Sequence, residues 1–276
     1  MHVGDSDPPK AQSLAALREQ LRTLVALGET DGLQGFADSL QSDARTGAQN
    51  MLESAARQRA SILAERERVD RMFDLRRELH LDGWKLVAGI DEVGVGPLAG
   101  PVTAAAVILP DEVDLPGVND SKKLSRGARE KLDLTIREQA VAWCIGSVSP
   151  EEIDRLNIFQ ASLEAMRRAV AGLTPQPDYL MVDARTVPGT SIPQKGIVHG
   201  DSIDASIAAA SIIAKVHRDH LMADLDEEYP GYGFAQHSGY GTAMHLAALE
   251  ELGACPVHRF SFGPVTATLG RSGDRR

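Results

Sequence analysis

The chain has 276 residues, 43% of them apolar and 25% charged, with a formal charge of -10. That balance suits a globular protein with a sizeable core and excludes fibrous and disordered classes. The acidic total also excludes a protein that holds nucleic acid by overall positive potential, so any phosphate binding has to be local.

The opening MHVGDSDPPK lacks the basic-then-apolar layout of a signal peptide, and no apolar run approaches the roughly 20 residues of a membrane helix, so a cytoplasmic location is expected. From Ala11 to Leu81 apolar residues recur at helical spacing, which predicts a helical extension broken once around Gly28, Gly32 and Gly35. Its second stretch, Gly47 to Leu79, carries Arg57, Arg59, Arg66, Arg68, Arg71, Arg76 and Arg77 among Glu65, Glu67, Asp70, Asp74 and Glu78. A solvated helix face is the plain reading, and contact with phosphate or a partner the sharper one.

The texture changes at Lys85. LVAGIDE and VTAAAVILP, separated by a Gly/Pro-rich turn, predict paired strands, and WCIGSVS predicts a third. Pro150 to Gly172 reads as one helix capped by Ser149. YLMVDA and GIVHGD read as further strands, Ser202 to Glu228 as a long helix of small residues, and Thr242 to Leu252 as another helix. Cys144 and Cys255 lie in no zinc-site or disulfide pattern and are expected to be reduced and structural. The expected organisation is a helical extension over 1–82, an α/β domain over 83–270 and a disordered tail over 271–276.

Three of the expected strands end in acids: Asp91 and Glu92, then Asp183, then Asp201. Gathering carboxylates at sheet ends is costly through desolvation and repulsion unless cations join them. Mg²⁺ prefers such hard oxygen ligands, and two ions about 4 Å apart can activate a water and stabilise a leaving oxygen. Adjacent strand residues point to opposite faces, so Asp91 and Glu92 are expected to share a site through a bulge or bend made easy by Gly94 and Gly96. DEVGVGPLAG is not a dinucleotide fingerprint, because its glycines are wrongly spaced and lead into a strand. Those glycines form either a plain tight turn or a place where backbone N–H groups approach a phosphate or sugar hydroxyl.

VAGIDEVGVGPLAGPVTAAAVIL, NDSKKLS, LMVDA, HGDS, SIAAASIIAKVHRD, YGFAQHSGYGT and HRFSFGPV, in that order between Lys85 and Gly270, closely resemble ribonuclease HII. The resemblance implies an α/β ribonuclease H-like mixed sheet flanked by helices. It also implies hydrolysis of the RNA strand of RNA/DNA hybrids, and of the 5′ side of a ribonucleotide embedded in duplex DNA. By position, Asp91, Glu92, Asp183 and Asp201 match the family's metal-binding acids, with Mg²⁺ or Mn²⁺ as two ions and Asp91 bridging them. Lys122, Lys123, Tyr240 and Arg259 match substrate-binding positions. Gly94, Val95 and Gly96 match a segment that senses the ribose 2′-hydroxyl. A helical N-terminal extension also occurs in some members, and the protein is expected as a monomer.

The match has gaps. Val95, His199, Ser238 and Phe260 stand where the family carries cations, while Lys122, Lys123, Lys215, Arg218 and Arg259 remain. Weaker phosphate binding and poorer discrimination of a single ribonucleotide are therefore expected, with the extension's arginines as a possible replacement. His237 and His258 are expected to be structural or near phosphate, Asp219 an ion-pair partner, and Trp84 and Trp143 core or boundary residues. Two rivals are a hybrid-binding module of the same fold that does not cut, which the intact acids oppose, and a resolvase- or transposase-like nuclease, which NDSKKL opposes.

Overall fold

The computed structural model describes residues 12–269, so the tail expected over 271–276 lies outside the described residues. The chain divides into two compact units between Arg68 and Val69.

The first unit contains α1 (Leu14–Leu27), α2 (Thr30–Ser39) and most of α3 (Thr46–Arg71). Ser13 caps α1 by accepting from the Ala16 N–H, and Gly28, at φ 66, ends it in a left-handed turn. Gly32 and Gly35 lie inside α2, so the expected break falls at Gly28 alone, and further breaks come at residues 40–45 and 72–73. Leu17, Leu33, Phe36, Leu40, Met51 and Ala55 bury a core of the unit's own. Its arginines have local partners: Arg59 and Arg66 donate to the Thr30 and Gly28 carbonyls, while Arg57 and Arg68 pair with Glu53 and Glu65. The plain reading of the charged helix therefore describes these four.

The second unit begins earlier than the expected boundary at 82/83. The short helix α4 (Asp74–Leu81) belongs to it, because Leu75 and Leu79 pack with Val87, Met181 and Ile207. Its sheet contains β1 (Val87–Val93), β2 (Val102–Ile108), β3 (Ala142–Val148), β4 (Tyr179–Asp183) and β5 (Gln194–Ile197), in the order β3-β2-β1-β4-β5. β1, β2 and β3 are antiparallel neighbours, and β4 and β5 add in parallel to β1.

Alternation sends Ala88, Ile90, Ala104 and Ala106 to one face, under α6 (Pro150–Leu156) and α7 (Ile158–Ala171). Ala105 and Val107 face α5 (Arg126–Gln139), which went unforeseen, and α8 (Ala205–Glu228). The helices lie close to the sheet because glycine and alanine permit it. A Cβ on Gly89 would meet the Ser206 backbone at 2.1 Å, and one on Gly146 the Ala165 carbonyl at 2.1 Å. Beyond α8, the short helices α9 (Phe234–His237), α10 (Ala243–Leu252) and α11 (Gly263–Leu269) enclose a third cluster around Leu98, Met222, Phe234 and Leu249.

Two expected elements differ. The helix expected over 150–172 is two helices, because Asn157, at φ 68, ends α6 and caps α7 by accepting from the Gln160 N–H. The strand expected over 196–201 ends at Ile197, and Asp201 sits on a 3₁₀ turn, Gly200–Ser202, entered through His199 at φ 59.

Candidate active site

Asp91 and Glu92 lie within β1, and the pairing with β2 runs unbroken through Asp91↔Ala105, Glu92↔Ala104 and Val93↔Thr103. The expected bulge is absent from this pair of strands; the left-handed turn comes two residues later, at Gly94. Asp91 therefore points toward α8 and Ser211, whose hydroxyl is bonded to that of Ser121 at 2.9 Å, and Glu92 points toward α7 and Ser162. Pairing between β1 and β4 ends at Ile90↔Val182, leaving Asp183 level with Asp91.

Asp183 links the group. Its charge raises the pKa of Asp91, Glu92 and Asp201 alike, and its Oδ1 accepts from the Gly200 N–H at 2.8 Å, tying β4 to the turn that carries Asp201. Asp91 is buried, and burial followed by the neighbouring Glu92 charge holds its carboxyl well above the usual range. Burial likewise raises Glu92, partly opposed by Arg185. Burial raises Asp201 too, together with the charges of Asp120 and Asp183, against the lowering effect of Lys122. Lys123 donates to the Ser202 hydroxyl at 3.0 Å, so both lysines of SKK flank Asp201.

The loop after β1 is built by two arginines. Arg259 is fully buried and donates to the carbonyls of Gly94, Val95, Pro97 and Gly100 at 2.6 to 3.0 Å. Arg218, equally buried, donates to Ala99, Pro101 and Ser238. Neither guanidinium is available to a phosphate in this arrangement. Each shapes the backbone that is: Gly94 has φ +86, and a Cβ there would strike Arg218 Nε at 2.3 Å. Gly96 is exposed beside Tyr240, where a Cβ would lie 3.4 Å from the ring, and Tyr240 itself is exposed. Val95 packs against the sheet core.

Asp219 is an ion-pair partner, 2.5 Å from Lys215 Nζ. His258 is buried and structural. Two neighbours of the acids escaped the sequence reading: Asp120, beside Asp201, and Arg185, whose Nε is 3.5 Å from Glu92 Oε1. Asp120 lay in plain view in NDSKKLS, but Arg185 carried no signal, since it follows a strand end by two residues and belongs to no motif.

Among the described residues, no three His, Cys, Asp or Glu side chains already converge as a ligand set. The donors nonetheless fit divalent cations chemically. They are hard carboxylate oxygens, three of them held above their usual range by burial and by the charge of Asp183, and Glu92 Oε2 is buried without a hydrogen-bond partner.

Among solved structures, the ribonuclease H2 of Pyrococcus horikoshii OT3 superposes with a TM-score of 0.61 at 27% identity, covering 69% of this chain and all of that one (100%). The RNase HII of Archaeoglobus fulgidus, solved in complex with PCNA, superposes with a TM-score of 0.56 at 31% identity, covering 64% and 95%. A mixed sheet of this order, flanked by helices and with acids gathered at the ends of β1 and β4, is that of a ribonuclease H-like nuclease. The family model for ribonuclease HII matches residues 88–265, and that for the ribonuclease HII N-terminal domain matches 13–80. Ribonuclease HII of Desulfitobacterium hafniense (strain Y51) is 49% identical over 252 residues, covering 91% of this chain and 97% of that protein. The Myxococcus xanthus (strain DK1622) protein of the same name is 50% identical over 237 residues, covering 86% and 81%. The chain belongs to the ribonuclease HII family, and is accordingly an endoribonuclease of RNA/DNA hybrids.

Proposed function

We propose that Asp91, Glu92, Asp183 and Asp201 hold two divalent cations, Mg²⁺ or Mn²⁺, at which the RNA strand is hydrolysed. Bound there, the ions would activate a water and stabilise the leaving oxygen. The observation that supports this reading is the position of Asp183, level with Asp91 beyond the last β1–β4 pair and bonded through Oδ1 to the Gly200 N–H next to Asp201, with its charge acting on the other three acids.

The remaining residues orient the substrate. Lys122 and Lys123 supply positive charge beside Asp201, and Tyr240 offers an exposed ring for stacking against a sugar. The Gly94–Gly96 backbone, held from below by Arg259, senses the 2′-hydroxyl that distinguishes RNA from DNA. In this reading Arg259 is a positioning residue and does not touch substrate. The substrates include duplex DNA with one embedded ribonucleotide, cut on its 5′ side, so the enzyme serves ribonucleotide removal from cytoplasmic DNA. No helix among the described residues is long and apolar enough to cross a membrane.

End-labelled duplex DNA containing one ribonucleotide tests the finer claim. Cleavage on the 5′ side of that residue is expected; cleavage confined to continuous hybrids would restrict the substrate class.

A further inference from the structure

Arg185 follows β4 by two residues, and the backbone is deformed to aim it. Ala184 adopts φ 50, a left-handed conformation that a residue with a Cβ rarely takes, while its N–H remains bonded to the Ile197 carbonyl at 2.9 Å. Gly196 in β5 makes room for the turn, since a Cβ there would meet the Arg185 carbonyl at 2.7 Å. The result places the guanidinium over the ring of Phe159, 5.2 Å from its centroid, with Nε 3.5 Å from Glu92 Oε1.

The guanidinium has five N–H donors, and Nη1 is buried with no hydrogen-bond partner. The ion pair with Glu92 is longer than a hydrogen bond. Arg218 and Arg259, by contrast, have their donors committed to carbonyls. A half-buried, stacked guanidinium whose Nη1 has no partner and whose Nε approaches Glu92 only to 3.5 Å matches the chemistry of a phosphate, which it can bind bidentately. Its side of the site matters as well. Lys122 and Lys123 flank Asp201, whereas Arg185 lies with Glu92 and Phe159 on the α7 face.

Resting on the four acids as the cleavage site, we infer that Arg185 is a substrate ligand, binding a backbone phosphate of the nucleic acid on the α7 side of the acids. The Phe159 ring holds it in place. Arg185 and the SKK lysines then grip the nucleic acid on opposite flanks of the scissile bond.

The test is hybrid binding by fluorescence anisotropy over a range of salt, with the full chain carrying Asp91→Asn to prevent cutting, alongside steady-state cleavage without that substitution. Losing one phosphate contact lowers the slope of log K against log salt by about 0.9, and losing a charged hydrogen-bonding group raises KM about tenfold. Arg185→Ala is expected to do both with kcat nearly unchanged, and Arg185→Lys to restore the slope while leaving affinity reduced. An unchanged slope in Arg185→Ala overturns the inference, including the case where kcat falls and metal demand rises, which would make Arg185 only a counter-charge for Glu92. A folded Arg185→Lys that behaves like Arg185→Ala on the salt axis overturns it as well. Failure of the site reading looks different: the wild type would bind hybrid and not cut it, while the slopes still report on Arg185.

Discussion

His245 Nε2 and His258 Nε2 face each other at 3.0 Å, with both residues fully buried. One proton can lie between them. His245 Nδ1 is 2.9 Å from the Tyr240 carbonyl, which only accepts, so His245 carries its proton there. His258 must then donate through Nε2 and accept at Nδ1 from the N–H and thiol of Cys255, at 3.0 and 3.1 Å. The chain from Cys255 to Tyr240 holds only while both rings are neutral, with His237 stacked on His245 and Tyr232 against His258.

Acid should loosen this chain. Burial first, and then His245, push His258 from 6.5 down to about 4, so between those values the unfolded chain binds the proton that the folded one refuses. Stability is therefore full above 6.5 and falls as pH drops toward 4. From pH 7.5 to 5.0 this group alone costs about 2 kcal/mol. Urea unfolding at the two pH values should show the loss, and His258→Gln should flatten it; identical pH dependence in the variant would remove His258 as the cause.

Arg259→Ala leaves four carbonyls, three of them in buried bonds, short of a donor. A loss of about 3 kcal/mol in stability is expected, with hybrid cleavage reduced because the Gly94–Gly100 backbone is no longer held. Lysine should not rescue, since one ammonium cannot reproduce the fork. Thermal unfolding and initial rates check both halves, and full activity in either variant would contradict the clamp.

Gly89→Ala places a methyl 2.1 Å from the Ser206 backbone. Separating α8 from β1 is expected to cost about 3 kcal/mol and to disturb Asp91 two residues away. A variant with wild-type unfolding temperature would show that α8 does not rest on the sheet at this point.

Val95→Arg returns a cation beside Gly94 and Gly96. The expected outcome is faster cleavage of the single-ribonucleotide duplex relative to continuous hybrid at matched salt. An unchanged ratio would mean that Val95 does not limit junction recognition.

The sheet strands were legible as short apolar runs, and so was the placing of Asp91, Glu92 and Asp183 near the ends of two of them, whereas Asp201 lies on a turn four residues beyond its strand. The alternation rule asked for a bulge or bend at Asp91 and Glu92; β1 pairs with β2 without a break through Val93, the left-handed turn comes at Gly94, and the β1–β4 pairing ends at Ile90↔Val182. Asn157 split an expected helix because its side chain serves as an N-cap, a local choice that apolar periodicity does not register. Arg185 beside Glu92 and the carbonyl partners of the inward-facing Arg259 went unforeseen for a common reason: a cation's partners are set by tertiary folding and leave no trace in spacing.

Cleavage of a continuous RNA/DNA hybrid by the wild type and by Asp91→Asn, with Mg²⁺, with Mn²⁺ and with neither, tests the central claim most directly. The account predicts cutting by the wild type only when a divalent cation is present, and a fall of at least about a thousandfold in Asp91→Asn, as expected when a main source of transition-state charge stabilisation is lost. Cutting that persists without cations, or an Asp91→Asn variant as active as the wild type, would contradict it.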